Sequence, residues 1–348
     1  LFQWQHVLPN TRLHGTTGLR LILRQLQAFE APAAAWETFI LARRVADYQG
    51  EMLDKLCLSG RFVWGRLSLP GRADEETPPR SLRPTRVAPI SFFERQQVSD
   101  FLGLRREGGD AELPPLSHPA RDVLEALEHW GASFVEDLVR ATGRLPMEVE
   151  LGLWELVAQG VVTADAFDNL RSLIDPKRRL VSRHRLSRKK RQPVPAMSRW
   201  TLLRVPGASE TSAVETLAAQ LLRRWGVVFK ALLLREGVTT PWWDLVRVYR
   251  RLEARGEIRG GRFVAGFSGE QFALPEAVEA LRRVRRVEAV EEVVTISAAD
   301  PLNLIGIVLP GERVRPHPET ILTFRNGLPC DGQIPGLQGA SFQGSRNP

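Results

Sequence analysis

The spacing of apolar residues divides the chain into helical modules separated by short strands. The segment from Leu19 to Phe29 carries apolar residues three or four positions apart, which is the period of an amphipathic helix. A second helix ends at Gly60, and the residues from Arg61 to Leu69 then alternate in a way that predicts a strand. Short apolar runs between turn residues predict six more strands: Arg86–Phe93, Arg199–Arg204, Arg262–Phe267, Val293–Ser297, Leu302–Leu309 and Ile321–Phe324.

An internal repeat gives these elements an order. His129-Trp130-Gly131 matches Arg224-Trp225-Gly226, and each copy continues to a helix that ends at a glycine, Gly160 or Gly256, before a strand. A weaker copy precedes them and has its glycine at Gly60. Helix, short helix, third helix and strand pair is the order of a winged helix-turn-helix. The sequence therefore predicts an α+β fold of tandem winged-helix modules, with a small β-barrel or sheet assembled from dispersed strands.

Shifts in composition predict seven stretches along the chain. They are a helical, winged-helix-like module (1–70), a linker with a strand (71–117), a second winged helix (118–176), a basic linker and strand (177–205), a third winged helix (206–275), a helix with barrel strands (276–327) and a flexible tail (328–348). The linkers are rich in Pro, Gly and charged residues. Because the first residue is not Met, we expect the chain to be a segment of a longer polypeptide.

Composition and charge narrow the class of protein. The 348 residues are 43% hydrophobic and 25% charged, as in ordinary globular proteins. The net charge of +8 favours an anionic partner wherever the charge is concentrated on one face. Two cysteines cannot form a multi-thiolate metal cluster, and no apolar run is long enough to span a membrane. We therefore expect a cytoplasmic protein with no membrane partner.

The sequence lacks the motifs of several enzyme classes. It contains no GxxxxGK[ST] loop, no GxGxxG after a strand, no GxSxG elbow and no HExxH helix. Its six histidines are scattered without metal-ligand spacing. This chain alone is therefore not expected to hydrolyse a nucleotide, and we predict no catalytic residue, metal or cofactor within it.

The third helices of the two clearer modules differ in charge. A winged helix usually contacts DNA through its third helix. The helix near 146–159 carries three glutamates and no Lys or Arg, and its apolar residues extend almost all the way round. A helix of this kind is buried on more than one side, so we predict that it packs against the protein.

The helix near 242–255 has a basic face opposite its apolar one. Arg247, Arg250 and Arg251 share this face, and Trp243 falls among them. Arginines contact phosphates, and an exposed Trp stacks on an unpaired base for about 1–3 kcal/mol. The alternative is that Trp243 caps the core and the arginines form a solvated face.

Two further stretches are candidates for nucleic-acid contact. On the predicted strand after Gly60, Trp64 and Arg66 point to one side, where they would form a stacking platform unless Trp64 packs in the core. Residues 177–191 contain nine Lys or Arg and no acid. This run is either a solvated linker or a source of salt-sensitive phosphate affinity. The candidate contacts within it are Arg188, Lys189, Lys190 and Arg191.

Three stretches, in this order, resemble a known family. They are Leu53–Leu67, Gly261–Pro275 and Ser297–Ile307. Together they resemble the region after the motor in the large helicase-related (Lhr) family of superfamily 2 helicases. The resemblance extends from roughly Leu19 to Gly311.

The resemblance implies an ATP-dependent, 3′-to-5′ DNA helicase acting in DNA repair. Its two RecA-like domains, with their ATP and Mg²⁺, would lie upstream in the same polypeptide or act in trans. This chain would be the nucleic-acid-binding region that grips the tracking single-stranded DNA, or a DNA/RNA hybrid. The implied fold is similar to the tandem winged helices and small β-barrel of some bacterial DNA glycosylases.

Two other functions stay open. Gln25-Leu26-Gln27 has a Gln-apolar-Gln spacing seen in the similar glycosylases, and Asp300 lies in a turn before Pro301, so base excision is one alternative. Otherwise the two glutamines form the polar side of a helix, and Asp300 organises its own turn. A protein-interaction scaffold is the other alternative, which the acidic and apolar helix near 146–159 favours.

Overall fold

The structure is a computed structural model that describes residues 1–68, 88–104, 115–174, 198–203, 210–237, 240–286 and 292–330. Within these residues, three modules repeat one arrangement of helices and strands, and a small sheet follows them. The predicted α+β class with tandem winged helices is confirmed. The predicted division into seven stretches stays a prediction.

The first module contains a three-stranded antiparallel sheet and a helix-rich face. Its elements are β1 (Leu13–His14), α1 (Gly15–Gln25), β2 (Ala31–Pro32), a π-helix (Trp36–Leu41) between the helical turns Ala33–Ala35 and Ala42–Arg44, β3 (Val45–Ala46), α2 (Gly50–Leu58), β4 (Phe62–Gly65), β5 (Pro89–Glu94) and α3 (Val98–Gly103), with 3-10 turns at Pro9–Thr11 and Arg95–Gln97. The strand β5 lies between β2 and β4. As the apolar spacing predicts, α1 buries Leu19, Ile22 and Leu23.

The second module repeats this arrangement with longer helices. Its elements are α4 (His118–Trp130), α5 (Val135–Thr142), α6 (Pro146–Ala158), β6 (Val162–Ala164), α7 (Asp168–Ile174) and β7 (Trp200–Leu202). The strand β7 pairs with β6 on one side, and Trp200 forms a bridge to Ser133 on the other. Ser133 therefore stands where the first strand of a winged helix would run.

The third module is the most regular of the three. Its elements are α8 (Glu210–Trp225), β8 (Val227–Phe229), a 3-10 helix (Lys230–Arg235), α9 (Trp242–Ala254), β9 (Arg259–Gly261), β10 (Gln271–Ala273) and α10 (Pro275–Arg286). The strand β10 lies between β8 and β9, so all three modules share the order first, third, second strand. The repeat read from the sequence is also seen at the helix ends, where Gly131 and Gly226 follow α4 and α8 with φ of 74° and 71°.

A last sheet follows the third module and corrects part of the strand prediction. It consists of β11 (Val293–Ser297), β12 (Ile321–Arg325) and β13 (Leu328–Pro329), and the turn Asn326-Gly327 joins the last two strands with positive φ at both residues. Two predicted strands are wrong. Residues 302–309 form turns with one bridge, from Ile305 to Leu309, and residues 262–267 belong to the loop between β9 and β10. The described strands form separate sheets of two or three strands rather than one closed barrel.

Buried polar contacts join the modules to one another. Arg171 on α7 donates to Glu37 on the π-helix (Nε–Oε2 2.5 Å) and to Asp54 on α2 (Nη1–Oδ2 2.6 Å). Burial alone would lower the pKa of Arg171, but the hydrogen bonds and charges of these two carboxylates raise it above its ordinary value. Arg44 reaches the turn after β11, where it pairs with Asp300.

Candidate nucleic-acid interface

The recognition helix α9 has one buried face and one exposed face. The buried side chains are Leu245, Val246, Val248 and Tyr249. Tyr249 anchors the helix because its hydroxyl donates to the carbonyl of Ala218 on α8 (3.2 Å) and its ring packs against Phe272 on β10. The amphipathic helix predicted near 242–255 is confirmed, and its basic face is exposed to solvent.

Trp243 lies in the first turn of α9 and is 66% exposed. The preceding residue, Trp242, makes the core contact instead, with its ring centroid 6.2 Å from that of Tyr249. The suggestion that Trp243 caps the core is therefore wrong. An exposed indole carries a large apolar surface into water, and a base stacked on it would cover that surface.

The three arginines of the basic face all have carboxylate partners. Arg247 pairs with Asp244 (3.1 Å), and Arg251 pairs with Glu215 (2.7 Å). Exposed pairs of this kind contribute only about 0–1 kcal/mol. A phosphate can therefore replace the carboxylate at low cost, so the pairs hold the guanidinium groups on this face without blocking it.

Arg250 connects α9 to the wing, which is the hairpin of β9 and β10 with the loop between them. Its Nε and Nη2 donate to the two carboxylate oxygens of Glu270 at 2.9 and 3.1 Å, the bidentate geometry that fits a planar anion. Glu270 directly precedes β10. The wing and the recognition helix are thus joined at the surface by this exposed pair, and also by the backbone N–H of Gly260 on β9, which donates to the carboxylate of Glu253 on α9 (3.0 Å).

The wing itself is organised by Gln271, a residue that the sequence reasoning missed. Its buried side chain accepts hydrogen bonds from the backbone N–H groups of Phe263 (2.9 Å) and Val264 (2.8 Å), and its amide donates back to the carbonyl of Val264 (2.8 Å). The loop after β9 therefore has a fixed shape beside α9. A polar residue at the start of a short apolar strand was the available signal.

Trp64 and Arg66 do not form the predicted platform. Trp64 is fully buried, its Nε1 donates to the carbonyl of Ala166 (3.2 Å), and its ring packs edge-on against Phe167 and Trp200. The prediction failed because β4 is covered on both faces, one of them by the second module, so that alternation along the strand does not produce an exposed side. Arg66 is half-buried and donates to the carbonyl of Ala158 at the end of α6 (2.7 Å).

The remaining predicted contacts lie outside the described residues. Arg188, Lys189, Lys190 and Arg191 belong to residues 175–197, which separate α7 from β7. Their role in phosphate affinity stays a prediction.

The third helix of the second module packs as predicted. Its C-terminal half, from Gly152 to Ala158, is buried, and the carboxylate of Glu155 accepts hydrogen bonds from the backbone N–H and the hydroxyl of Ser117 at the start of α4 (2.9 and 2.6 Å). Met147 and Leu151 nevertheless remain exposed in its first turns. The helix thus combines a packed half with a small apolar surface and has no cation of its own.

Gln25 and Gln27 lie in a buried polar network. The amide of Gln25 donates to the carbonyl of Trp4 (2.9 Å), and that of Gln27 donates to Gln97 (2.7 Å). The side-chain oxygen of Gln27 accepts from the backbone N–H of Glu94 (2.6 Å), whereas that of Gln25 has no protein partner among the described residues. Gln25, the last residue of α1, and Gln27, two residues beyond it, therefore bind neighbouring segments rather than facing solvent as a polar helix side would.

The carboxylate of Asp300 binds the guanidinium of Arg44 as well as the backbone of its own turn. Arg44 donates to both of its carboxylate oxygens, at 2.7 and 2.9 Å, and both side chains are fully buried. The carboxylate also accepts from the backbone N–H of Leu302 (2.9 Å), which is the turn contact that the sequence suggests. Nearby, Arg235 donates to the Asp300 carbonyl (2.7 Å), and burial lowers the pKa of Arg235 to about 10.

The space near Asp300 is too small to hold a base, and the described side chains offer no metal site. The enclosed space between Arg235, Asn303 and Arg313 is about 10 Å³, room for one water and not for a base. In the described part of the chain, no three His, Cys, Asp or Glu side chains are grouped to hold a metal ion. None of the described helices is both long and apolar enough to cross a bilayer.

Comparison with known proteins identifies two of the modules. Residues 1–79 and 207–293 each match a model of the winged-helix domain of large helicase-related proteins. The chain is 31% identical over 338 residues to the Lhr helicase/probable uracil glycosylase of Mycolicibacterium smegmatis, and 29% identical over 336 residues to the Lhr helicase/uracil glycosylase of Escherichia coli K12. These matches cover 88% and 89% of this chain but only 20% of each relative, so the chain spans about a fifth of their length.

A solved structure has a similar fold, but this similarity says nothing about activity. The Streptomyces sahachiroi DNA glycosylase AlkZ is similar over 94% of this chain and 85% of its own, with a TM-score of 0.52 and 12% identity. At that identity the likeness shows the fold alone. The two family models and the two relatives instead identify winged-helix modules of a large helicase-related protein. The chain belongs to the large helicase-related family.

Proposed function

We propose that this chain grips single-stranded DNA through α9, as part of an ATP-dependent 3′-to-5′ DNA helicase that acts in repair. One observation carries the proposal. Trp243 stands exposed beside Arg247, Arg250 and Arg251 on the third helix of a module that matches the family's winged-helix domain. In the proposed complex, RecA-like domains supply the ATP and Mg²⁺ chemistry, and this region holds the unwound strand or a DNA/RNA hybrid.

The chemistry of the face suits a strand that must move. Base stacking on Trp243 tolerates every base, because each base presents a π face. The arginines contact phosphates, which are the same at every step, so neither contact requires a particular sequence. Each exposed guanidinium can exchange its carboxylate for a phosphate and return to it when the strand advances.

A binding measurement on charge variants tests the proposal. The triple variant Arg247→Gln/Arg250→Gln/Arg251→Gln removes the basic face, and Arg43→Gln/Arg121→Gln/Arg140→Gln removes the same charge from exposed positions on the other two modules. Fluorescence anisotropy with a labelled oligothymidylate, over a salt series, compares both with the wild type. The slope of log K against log salt should fall by about 2 in the first variant, because about 0.7 counterions are released per phosphate contact on a single strand. Equal slopes in the two variants, or no binding by the wild type at low salt, would refute the proposal.

Uracil excision is a second candidate. The names of both relatives include uracil glycosylase, and both matches cover nearly nine-tenths of this chain. The orphaned side-chain oxygen of Gln25 is a buried acceptor that a bound water could use. Gln27 and Asp300 already have partners, so excision would require the local network to open.

A cleavage assay separates the two candidates. The purified chain is incubated without ATP with uracil-containing and thymine-containing single strands, and abasic sites are then converted to breaks by alkali. Uracil-dependent breaks that disappear in Gln25→Ala would support excision. Strand binding without breaks would leave the gripping function as the activity of this region.

A further inference from the structure

The helix that follows the wing extends beyond the body of the third module. The first half of α10 is packed, with Ala277 and Val278 buried. From Leu281 to Arg286 every residue is exposed. This half carries four arginines: Arg282, Arg283, Arg285 and Arg286.

These arginines differ from those of the recognition helix. On α9, Arg247, Arg250 and Arg251 each have a carboxylate within 3.1 Å. On α10, none of the four makes an ion pair with a carboxylate among the described residues. Like charges three or four positions apart repel one another. The helix dipole offers only about half an elementary charge at this end, so it does not balance four cations.

Three of the arginines share one side of the helix. At 100° per residue, Arg282, Arg283 and Arg286 fall together with Glu279, and these four side chains surround an open surface space of about 320 Å³ on this one helix. Leu281 and Val284 lie on the opposite side. This side of the helix is therefore a cluster of guanidinium groups, with one acid nearer the packed half.

We propose that the exposed half of α10 is a second phosphate-binding surface, which contacts the backbone of nucleic acid held by the same module. The inference rests on the proposed function, because it extends the contact from α9 to the helix that follows the wing in the chain. Guanidinium groups clustered on an exposed helix face fit a chain of phosphates, which needs repeated cations without a shaped pocket. An acidic membrane surface is the poorer partner, since an interfacial helix needs a broad apolar face and this half offers Leu281 and Val284.

The α9 face and the exposed half of α10 should affect DNA binding in different ways. The α9 face adds base stacking through Trp243, whereas α10 offers charge without an aromatic residue in its exposed half. Removal of the arginine charges of α10 should therefore weaken the salt dependence of DNA binding. The preference for a strand with bases over an abasic strand should stay unchanged. That difference separates this inference from the proposed function.

The test uses the full chain with Arg282→Gln, Arg283→Gln, Arg285→Gln and Arg286→Gln combined. Gln keeps the helix propensity, and the replaced side chains are all exposed, so folding should be retained; thermal unfolding checks this. The matched control removes four exposed arginines elsewhere: Arg43, Arg121, Arg140 and Arg199. Binding to a labelled oligothymidylate is measured over a salt series, and the corresponding Arg→Lys variant of α10 tests whether charge alone is sufficient.

The expected result is a salt slope lower by about 2 in the α10 variant, mainly from the loss of the three phosphate contacts of Arg282, Arg283 and Arg286, with a much smaller change in the control. The Lys variant should retain most of the slope. Unchanged binding in the α10 variant, while the α9 variant binds more weakly, would overturn this inference and leave the proposed function standing. Absence of binding by the wild type would overturn both. Loss of binding to vesicles of anionic lipid, with unchanged DNA binding, would assign the surface to a membrane instead.

Discussion

Arg250 on the recognition helix and Glu270 on the wing are joined by two hydrogen bonds of 2.9 and 3.1 Å at the protein surface. The pair places a bidentate guanidinium where the helix and the wing meet. It also occupies that guanidinium with a carboxylate. The geometry that an anion would need is therefore already present in the free protein.

Glu270→Gln should strengthen binding to single-stranded DNA. The change removes the competing negative charge and leaves Arg250 in place, so we expect about threefold tighter binding at low salt, in line with the small strength of exposed pairs. Anisotropy with a labelled oligothymidylate measures the effect. Asp137→Asn is the control, because Asp137 pairs with Arg140 on the second module. Equal gains in the two variants would mean that overall charge is responsible and that the Arg250–Glu270 contact is not.

Trp64→Ala should destabilise the protein, because the ring lies in the core between the first and second modules. Truncation of a buried aromatic residue costs about 3–5 kcal/mol in the free energy of unfolding. Denaturant unfolding measures the loss. Trp64→Phe should retain the fold and bind single-stranded DNA as the wild type does. Weaker DNA binding by a folded Trp64→Phe variant would restore the stacking role that burial excludes.

Asp300→Asn should destabilise the fold strongly. It leaves the guanidinium of Arg44 buried beside a neutral amide, and breaking a buried pair from one side costs about 3–5 kcal/mol. Urea unfolding of the single variant is compared with that of Arg44→Met/Asp300→Leu. The double variant should lose less stability, because no uncompensated charge remains. A single variant as stable as the wild type would show that the pair does not hold the first module to the last sheet.

The parts of the fold that depend on local periodicity could be predicted from the sequence. The stripe of Leu19, Ile22 and Leu23, and the glycines after α4 and α8, identify helices and their ends, since both depend on neighbouring residues alone. The short strands were less predictable. Residues 302–309 are apolar because they pack in the core as turns, and apolar content does not distinguish a buried turn from a strand.

In the candidate site, too, the features set by neighbouring residues could be predicted, and those set by distant residues could not. The basic face of α9 follows from helical spacing, so its exposure could be predicted. Trp64 could not be placed, because its burial depends on Phe167 and Trp200, residues distant in the sequence. The carboxylate partners Glu215 and Glu270 belong to other elements and were likewise beyond local reasoning.

Single-strand binding by Trp243→Ala, with and without bases in the ligand, tests the central claim most directly. The wild type and the variant are each titrated with an oligothymidylate and with an abasic strand of equal length, and Trp130→Ala, which removes a comparably exposed Trp from the second module, is the control. We expect the wild type and the control to prefer the strand with bases, and Trp243→Ala to lose about 1–3 kcal/mol of that preference. If Trp243→Ala keeps the full preference, no base stacks on this ring and α9 is not the gripping surface.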